Sequence, residues 1–266
     1  MRRKLVAGNW KMNLTHAESL ALVESFIQAV ELDESVDVVI CPPYLSIAPV
    51  IGVTGNARIS VGAQDVFWAE AGAFTGRVSA AMLADAGVTH CIVGHSETRG
   101  RFGKLEIPES TVGYFAETDE TVRLKIAALL SRGIRPILCV GETLSEREAS
   151  ETDAVIRQQL VDALAGFAAE ELGELVVAYE PVWAIGTGKT CDAPEANRVC
   201  AHVRAVLADQ FGRELAEAVR VLYGGSVKAA NARELFATSD IDGGLVGGAS
   251  LSATEFAAIV HAAVRR

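Results

Sequence analysis

A single-domain (β/α)8 barrel of the α/β class is the fold this chain predicts, and three observations carry it. Eight short runs are near-continuous in apolar residues, as in parallel strands covered on both faces. Segments with helical spacing separate them, with no break in composition and no Pro/Ser-rich linker. Polar and glycine-rich residues collect just after the runs, where a barrel keeps its active mouth. The chain has 266 residues, 50% of them hydrophobic, enough for a sizeable core. A barrel of about 250 residues is one domain.

The elements follow in order. Lys4–Ala7 is the first strand, and Asn9 and Lys11 come after it. His16–Val30 has helical spacing. Val36–Cys41 and Ile59–Ala63 are the second and third strands, the latter leading to Gln64-Asp65. Cys91–Gly94, the fourth, ends in His95-Ser96-Glu97, and Thr121–Arg132 is helical. Pro136–Val140 is followed by Gly141-Glu142, and then by a helical stretch at Asp153–Phe167. Leu175–Tyr179 opens onto Glu180, and Ala193–Gln210 is helical. Arg220–Tyr223 precedes Gly224-Gly225-Ser226. Gly244–Val246 precedes Gly247-Gly248-Ala249-Ser250, and the helical Thr254–Val264 closes the series. The competing arrangement, an open doubly wound sheet, would want G-x-G-x-x-G after the first strand. Only Gly8-Asn9-Trp10-Lys11 stands there.

Charge narrows the partners. Lys plus Arg number 24 and Asp plus Glu 34, a net charge of −10. Such a surface argues against nucleic acid or an anionic membrane as partner. An anionic substrate would need local positive potential at its site. Five cysteines, an odd number with no C-x-x-C pair, read as buried free thiols in a reducing compartment. Arg2, Arg3 and Lys4 are followed only by Leu5-Val6-Ala7, too short for a signal-peptide core. No run of roughly 18 apolar residues predicts a membrane span. A cytoplasmic protein is expected.

The chemistry gathers around Ala178–Thr190, A-Y-E-P-V-W-A-I-G-T-G-K-T. Glu180 ends an apolar strand, Pro181 stiffens the exit, and an apolar arm runs from Val182 to Ile185. A strand-end glutamate is as readily a solvated loop charge as a base. The apolar neighbours favour the base, because desolvation raises a carboxylate's basicity. The G-T-G-K-T end resembles a P-loop, but Trp183 stands where that pattern needs glycine. Gly186 and Gly188 suit the hinge of a lid instead, with a backbone N–H for phosphate.

His95 differs from the other four histidines by lying between Gly94 and Ser96 at a strand end. A helix starting there would keep its ring neutral, able to donate one N–H to a developing oxyanion. Lys11, elsewhere a routine surface charge, lies at the mouth. Ser226 and Gly247-Gly248 offer open backbone N–H groups, with a short helix expected near Gly248, an anion site of the kind found after strands seven and eight. Taken singly, each glycine pair is just a tight turn. No metal-ligand spacing is present. A base, a neutral acid, a cation and a phosphate grip point to proton transfer beside a carbonyl of a small phosphorylated molecule.

These residues also carry a resemblance. A-G-N-W-K-M-N (Ala7–Asn13), V-G-H-S-E (Val93–Glu97), C-V-G-E-T-L (Cys139–Leu144), Ala178–Thr190, Y-G-G-S-V (Tyr223–Val227) and G-L-V-G-G-A-S-L (Gly244–Leu251) together make the chain closely similar to the triosephosphate isomerase family over essentially its whole length. The resemblance implies a TIM barrel that interconverts dihydroxyacetone phosphate and glyceraldehyde 3-phosphate without a cofactor. It implies that Glu180 shuttles the proton, and that neutral His95 polarises the carbonyl. Lys11 and Asn9 would stabilise the enediolate, with Glu97 supporting the site. Gly186, Ser226, Gly247 and Gly248 would grip phosphate. Pro181 belongs to the lid, and Ile185 and Leu245 would clamp the base. A homodimer through the 64–76 loop is implied as well.

Departures from the family pattern fall away from the chemistry. Asp65 stands where Asn is usual, Arg77 where Glu is usual, and Thr98 where Arg is usual. The last two positions pair near the family's dimer interface, and here both are changed. Gly100–Tyr114 reads as an insertion before the pattern resumes at Phe115–Glu120. The 64–76 loop is still expected to reach a partner, with the insertion adding contacts or covering old ones. A four-carbon sugar-phosphate isomerase and a phosphate-binding barrel without turnover are the competing readings. The set Lys11, His95 and Glu180 speaks against the second, since a binder needs no base.

Overall fold

The strands of the computed structural model are β1 (Lys4–Asn9), β2 (Val36–Cys41), β3 (Ile59–Ala63), β4 (His90–Val93), β5 (Arg135–Val140), β6 (Val176–Tyr179), β7 (Arg220–Tyr223) and β8 (Gly243–Val246). They close into one barrel in chain order, each pair parallel, with β8 returning to β1. The structure describes residues 2–264 apart from 56 and 105. The extreme ends of the 1–266 domain and position 105 of the 100–114 stretch lie outside the described residues.

The helices are α1 (His16–Ala29), α2 (Ile47–Thr54), α3 (Ala80–Asp85), α4 (Asp119–Leu130), α5 (Leu144–Glu148), α6 (Thr152–Ala163), α7 (Ala193–Phe211), α8 (Arg213–Ala218), α9 (Ala229–Phe236) and α10 (Ala253–Ala263). The long ones lie where helical spacing predicts them. The short α2, α3, α5, α8 and α9 are too brief for periodicity over 11 to 18 residues to register. Local chemistry starts two of the long ones: Thr15 and Glu18 form a capping box on α1, and Asp192 caps α7 at Glu195 N, 2.8 Å away.

Side-chain alternation along the strands divides the core in two. Leu5, Ala7, Val39, Cys41, Ile92, Ile137, Cys139, Val176, Ala178, Leu222 and Leu245 form one cluster, which fills the barrel. Val6, Val38, Ile40, Val61, Val93, Leu138, Val177 and Val221 belong to the other, packed with helix residues such as Phe26, Leu129, Leu160 and Phe256. Each fully buried Val, Leu or Ile contributes about 1.5–3 kcal/mol, so the barrel is a rigid platform for the residues at its rim. All five cysteines are buried free thiols.

Asp65, Arg77 and Thr98 each meet a partner within the chain. The Thr98 hydroxyl donates to the Glu117 carboxylate at 2.5 Å. Lys125 bridges Glu117 and Asp65, the latter at 2.6 Å. The Arg77 guanidinium lies 5.8 Å from the centroid of Phe67. Within 100–114, Glu109–Tyr114 forms a 3-10 turn.

Candidate active site

The C-terminal ends of β1, β4, β6, β7 and β8 surround a cavity of about 620 Å³. Asn9, Lys11, His95, Glu180, Ile185, Gly186, Ser226, Leu245, Gly247 and Gly248 all line it. Glu97 and Pro181 lie just outside, each beside a residue that does.

Glu180 is buried at the end of β6, and both its oxygens are held. Oε1 stands 2.8 Å from His95 Nε2, and Oε2 accepts the Ser96 N–H at 2.9 Å. Burial alone would raise this carboxyl's pKa. The His95 ring and the Ser96 N–H outweigh it, so Glu180 lies below its ordinary value and stays ionised. For His95, burial works against charge and the carboxylates of Glu180 and Glu97 work for it, with a net upward direction. The tautomer is set by a different contact. The Glu97 N–H donates to Nδ1 at 3.1 Å, so Nδ1 is an acceptor and the ring's proton sits on Nε2, facing Glu180. A second proton on Nδ1 would oppose that N–H, and on this ground we take the ring as neutral.

The turn after β4 differs from the helix start expected at His95. No α-helix begins at His95. Residues 96–100 make a single turn, closed by Arg101 N–H on Ser96 O at 2.9 Å and Gly100 N–H on Glu97 O at 3.2 Å. This pattern ends a helix rather than extending it, and the next one, α4, begins only at Asp119. The turn's free N–H groups still do directed work, at Glu180 and at His95 itself. The short helix expected near Gly248 is present as the 3-10 turn Gly248–Leu251.

Lys11 adopts φ +53°, a left-handed conformation costing about 1–2 kcal/mol for a residue with a Cβ. Three contacts hold it. Its N–H donates to Asn9 Oδ1 at 3.0 Å, Gln64 Nε2 donates to its carbonyl at 2.9 Å, and its Nζ pairs with Glu97 Oε1 at 2.5 Å. Asn9 thereby spends its oxygen on the backbone and keeps its NH2 for the cavity.

The lid begins as the 3-10 turn Val182–Ala184. Gly186 and Gly188 follow at φ +69° and +80°, conformations that a side chain would strain. Sequence reasoning placed Glu142 at the mouth without a role. It is fully buried and accepts from Trp183 Nε1 at 2.8 Å and Tyr179 Oη at 3.1 Å, so it anchors the arm. Gly103 was missed altogether. A Cβ there would lie 2.3 Å from Val182 O and 2.4 Å from Ile185 O, so the backbone of residue 103 runs directly against the arm. Nothing in the sequence signals that contact, since the two segments meet only in the fold.

Among the described residues no group of three His, Cys, Asp or Glu side chains could hold a metal ion, and no helix is long and apolar enough to cross a membrane.

The family model described as triosephosphate isomerase matches residues 4–263. The triosephosphate isomerase of Thermoanaerobacter pseudethanolicus is 47% identical over 261 residues, covering 98% of this chain and all of that protein. Those of Carboxydothermus hydrogenoformans (47% over 264 residues, 99% and 100% covered) and Symbiobacterium thermophilum (48% over 263 residues, 99% and 98% covered) are similarly close.

Proposed function

The chain belongs to the triosephosphate isomerase family, and on that premise we propose that Glu180, His95, Lys11 and Asn9 carry the interconversion of dihydroxyacetone phosphate and D-glyceraldehyde 3-phosphate. The observation that supports these roles is the facing of an ionised, buried carboxylate and an imidazole N–H across 2.8 Å in one cavity.

The substrate carbonyl takes the Nε2–H of His95, and Glu180 turns from the ring to the adjacent carbon. Glu180 removes a proton there while His95 donates to the forming oxyanion. Lys11 and the Asn9 NH2 stabilise the cis-enediolate, and Glu97 steadies Lys11. His95 leaves its Nε2 proton on the former carbonyl oxygen and takes the hydroxyl proton from the neighbouring oxygen, and Glu180 returns its own proton to the former carbonyl carbon, so the carbonyl moves by one position. A proton transfer beside a carbonyl needs only a base and a hydrogen-bond donor, so we read the reaction as cofactor-independent. Backbone N–H groups at Gly186, Ser226, Gly247 and Gly248 hold the phosphate. Lid closure about Pro181 presses Ile185 on the base, opposite Leu245 of β8, and keeps water from the intermediate.

We read the protein as a cytoplasmic homodimer joined through the 64–76 loop. Its support is a surface: Met12, Tyr44, Leu45, Trp68, Phe74, Met82 and Tyr114 make up nearly all the exposed large apolar side chains. Tyr44, Trp68 and Tyr114 line one cavity with Phe67, on which Phe74 packs, and a continuous apolar patch of this kind marks an interaction site. Tyr114 brings the 100–114 stretch, which we read as an insertion, to the same cavity wall as Trp68.

The test is an isomerase assay on both triose phosphates, with solvent-proton exchange into dihydroxyacetone phosphate and a four-carbon ketose phosphate in parallel. Turnover and exchange with the three-carbon pair support the reading. Binding without exchange would overturn it, and preference for the four-carbon substrate would reassign the substrate.

A further inference from the structure

The alternation that fills the barrel with apolar residues changes character at its N-terminal mouth. Two positions before the interior residues Val39, Ile92, Ile137, Val176 and Leu222 stand Asp37, His90, Arg135, Glu174 and Arg220. Arg3 holds the same place before Leu5. The register sets His90 beside Arg135. These side chains line a second cavity of about 400 Å³, at the opposite end of the barrel from the active site.

Such a ring can be purely structural, with each guanidinium neutralised by its own carboxylate. Two features here do not fit that. Arg3 and Arg220 share a single carboxylate, Asp37, at 3.0 and 2.7 Å, while Arg135 pairs with Glu174. Three guanidiniums therefore face two carboxylates. His90 is the second feature: it is 97% buried, its Nδ1 meets Thr89 Oγ1 at 2.8 Å, and its Nε2 has no hydrogen-bond partner. A buried nitrogen without a partner is costly and calls for an explanation. The potential around it is positive: burial, then Arg135 and Arg220, push its pKa down to about 3. In a protein of net charge −10, these three guanidiniums and two carboxylates leave the mouth one positive charge in excess.

We infer that the N-terminal mouth of the barrel is a second anion site, taking a phosphate group on Arg3, Arg135 and Arg220 with His90 as the inner wall. Guanidinium donors arriving from separate strands suit a tetrahedral dianion better than a flat carboxylate. The cavity has room for free phosphate or for a small phosphorylated metabolite.

The experiment is calorimetric titration at fixed ionic strength with inorganic phosphate, and separately with glycerol 3-phosphate. Wild type is expected to show two sites per chain. Arg3→Gln/Arg135→Gln changes two half-exposed side chains and should weaken one site about tenfold or more, the scale of one charge-assisted hydrogen bond. Its kcat, KM and competitive inhibition by phosphate should stay at wild-type values. Asp37→Asn removes the competing carboxylate and should tighten the same site severalfold. Uptake of inorganic phosphate alone identifies the free ion as ligand, and uptake of both identifies the phosphoryl group. A single site in wild type, or two sites of unchanged affinity in the double variant, would overturn the inference.

Discussion

Glu180 Oε1 and His95 Nε2 face each other at 2.8 Å, although one ends β6 and the other follows β4. Each fixes the state of the other. The Glu97 N–H on Nδ1 leaves the ring's one proton on Nε2, and that proton helps keep Glu180 ionised. The base is thus held ready, and the acid is held in the tautomer that can donate.

Glu180→Gln keeps the size and loses the charge. Its kcat is expected to fall about 10²–10⁴-fold, the usual contribution of a positioned base. The KM should stay within a few-fold, because the phosphate grip is untouched. Steady-state kinetics in both directions measures this, and near-normal kcat would remove Glu180 from the role of base.

Gly188→Ala places a Cβ at φ +80° in the lid. The strain, about 1–2 kcal/mol, should disfavour whichever lid position keeps that angle. Turnover is expected to drop, and more of the enediolate to lose inorganic phosphate per turnover. A colorimetric phosphate assay run beside the isomerase assay reads the ratio. Unchanged partitioning would mean that Gly188 does not govern closure.

Gly103→Ala tests the contact between the 100–114 stretch and the lid arm. The new methyl group would meet Val182 O and Ile185 O at 2.3 and 2.4 Å, so one segment must move. Displacing the lid by about 1 Å can cost up to about 10²-fold in rate. A fall in kcat/KM with the thermal midpoint within a few degrees of wild type would locate the effect in the lid. A large midpoint drop at normal kcat/KM would assign Gly103 to stability alone.

His90 sets a pH signature. Its folded pKa is about 3, below the ordinary 6.5, because of burial and then Arg135 and Arg220. The unfolded chain therefore binds a proton that the folded chain refuses. Above pH 6.5 the ring is neutral in both states and the pKa difference has no effect, and stability is lost as pH falls from 6.5 towards 3. At pH 5 the loss is about 2 kcal/mol, from 1.5 pH units at about 1.4 kcal/mol each. Urea unfolding of wild type and His90→Phe at pH 7 and pH 5, in phosphate-free buffer, should show wild type losing that much more than the variant. Parallel losses would remove His90 as the cause.

Trp68→Asp or Phe74→Asp, each on the exposed apolar surface, is expected to convert a dimer to monomers. Light scattering at micromolar protein should give twice the chain mass for wild type and once for the variants. A wild-type monomer would mean that the 64–76 loop has lost its partner.

Much of this protein can be read from its residues in order. The eight strands show themselves because a strand buried on both faces must be apolar throughout, and the helices of eleven residues or more because one face repeats. The site is legible for a related reason. In a parallel barrel every strand ends at the same mouth, so Asn9, His95, Glu180 and Gly247 fall together once the strands are placed. Long-range contact and hydrogen-bond direction were not legible. No local pattern says that the single turn after β4 would close at Gly100 instead of opening a helix, or that Ser96 N–H would reach Glu180. Gly103 against the lid, Glu142 beneath Trp183, and Arg3 and Arg220 converging on Asp37 were likewise decided only by closure of the barrel. Sequence periodicity reports which face of an element is buried. Which atoms then meet depends on register and rotamer, and those exist only when all eight strands are in place.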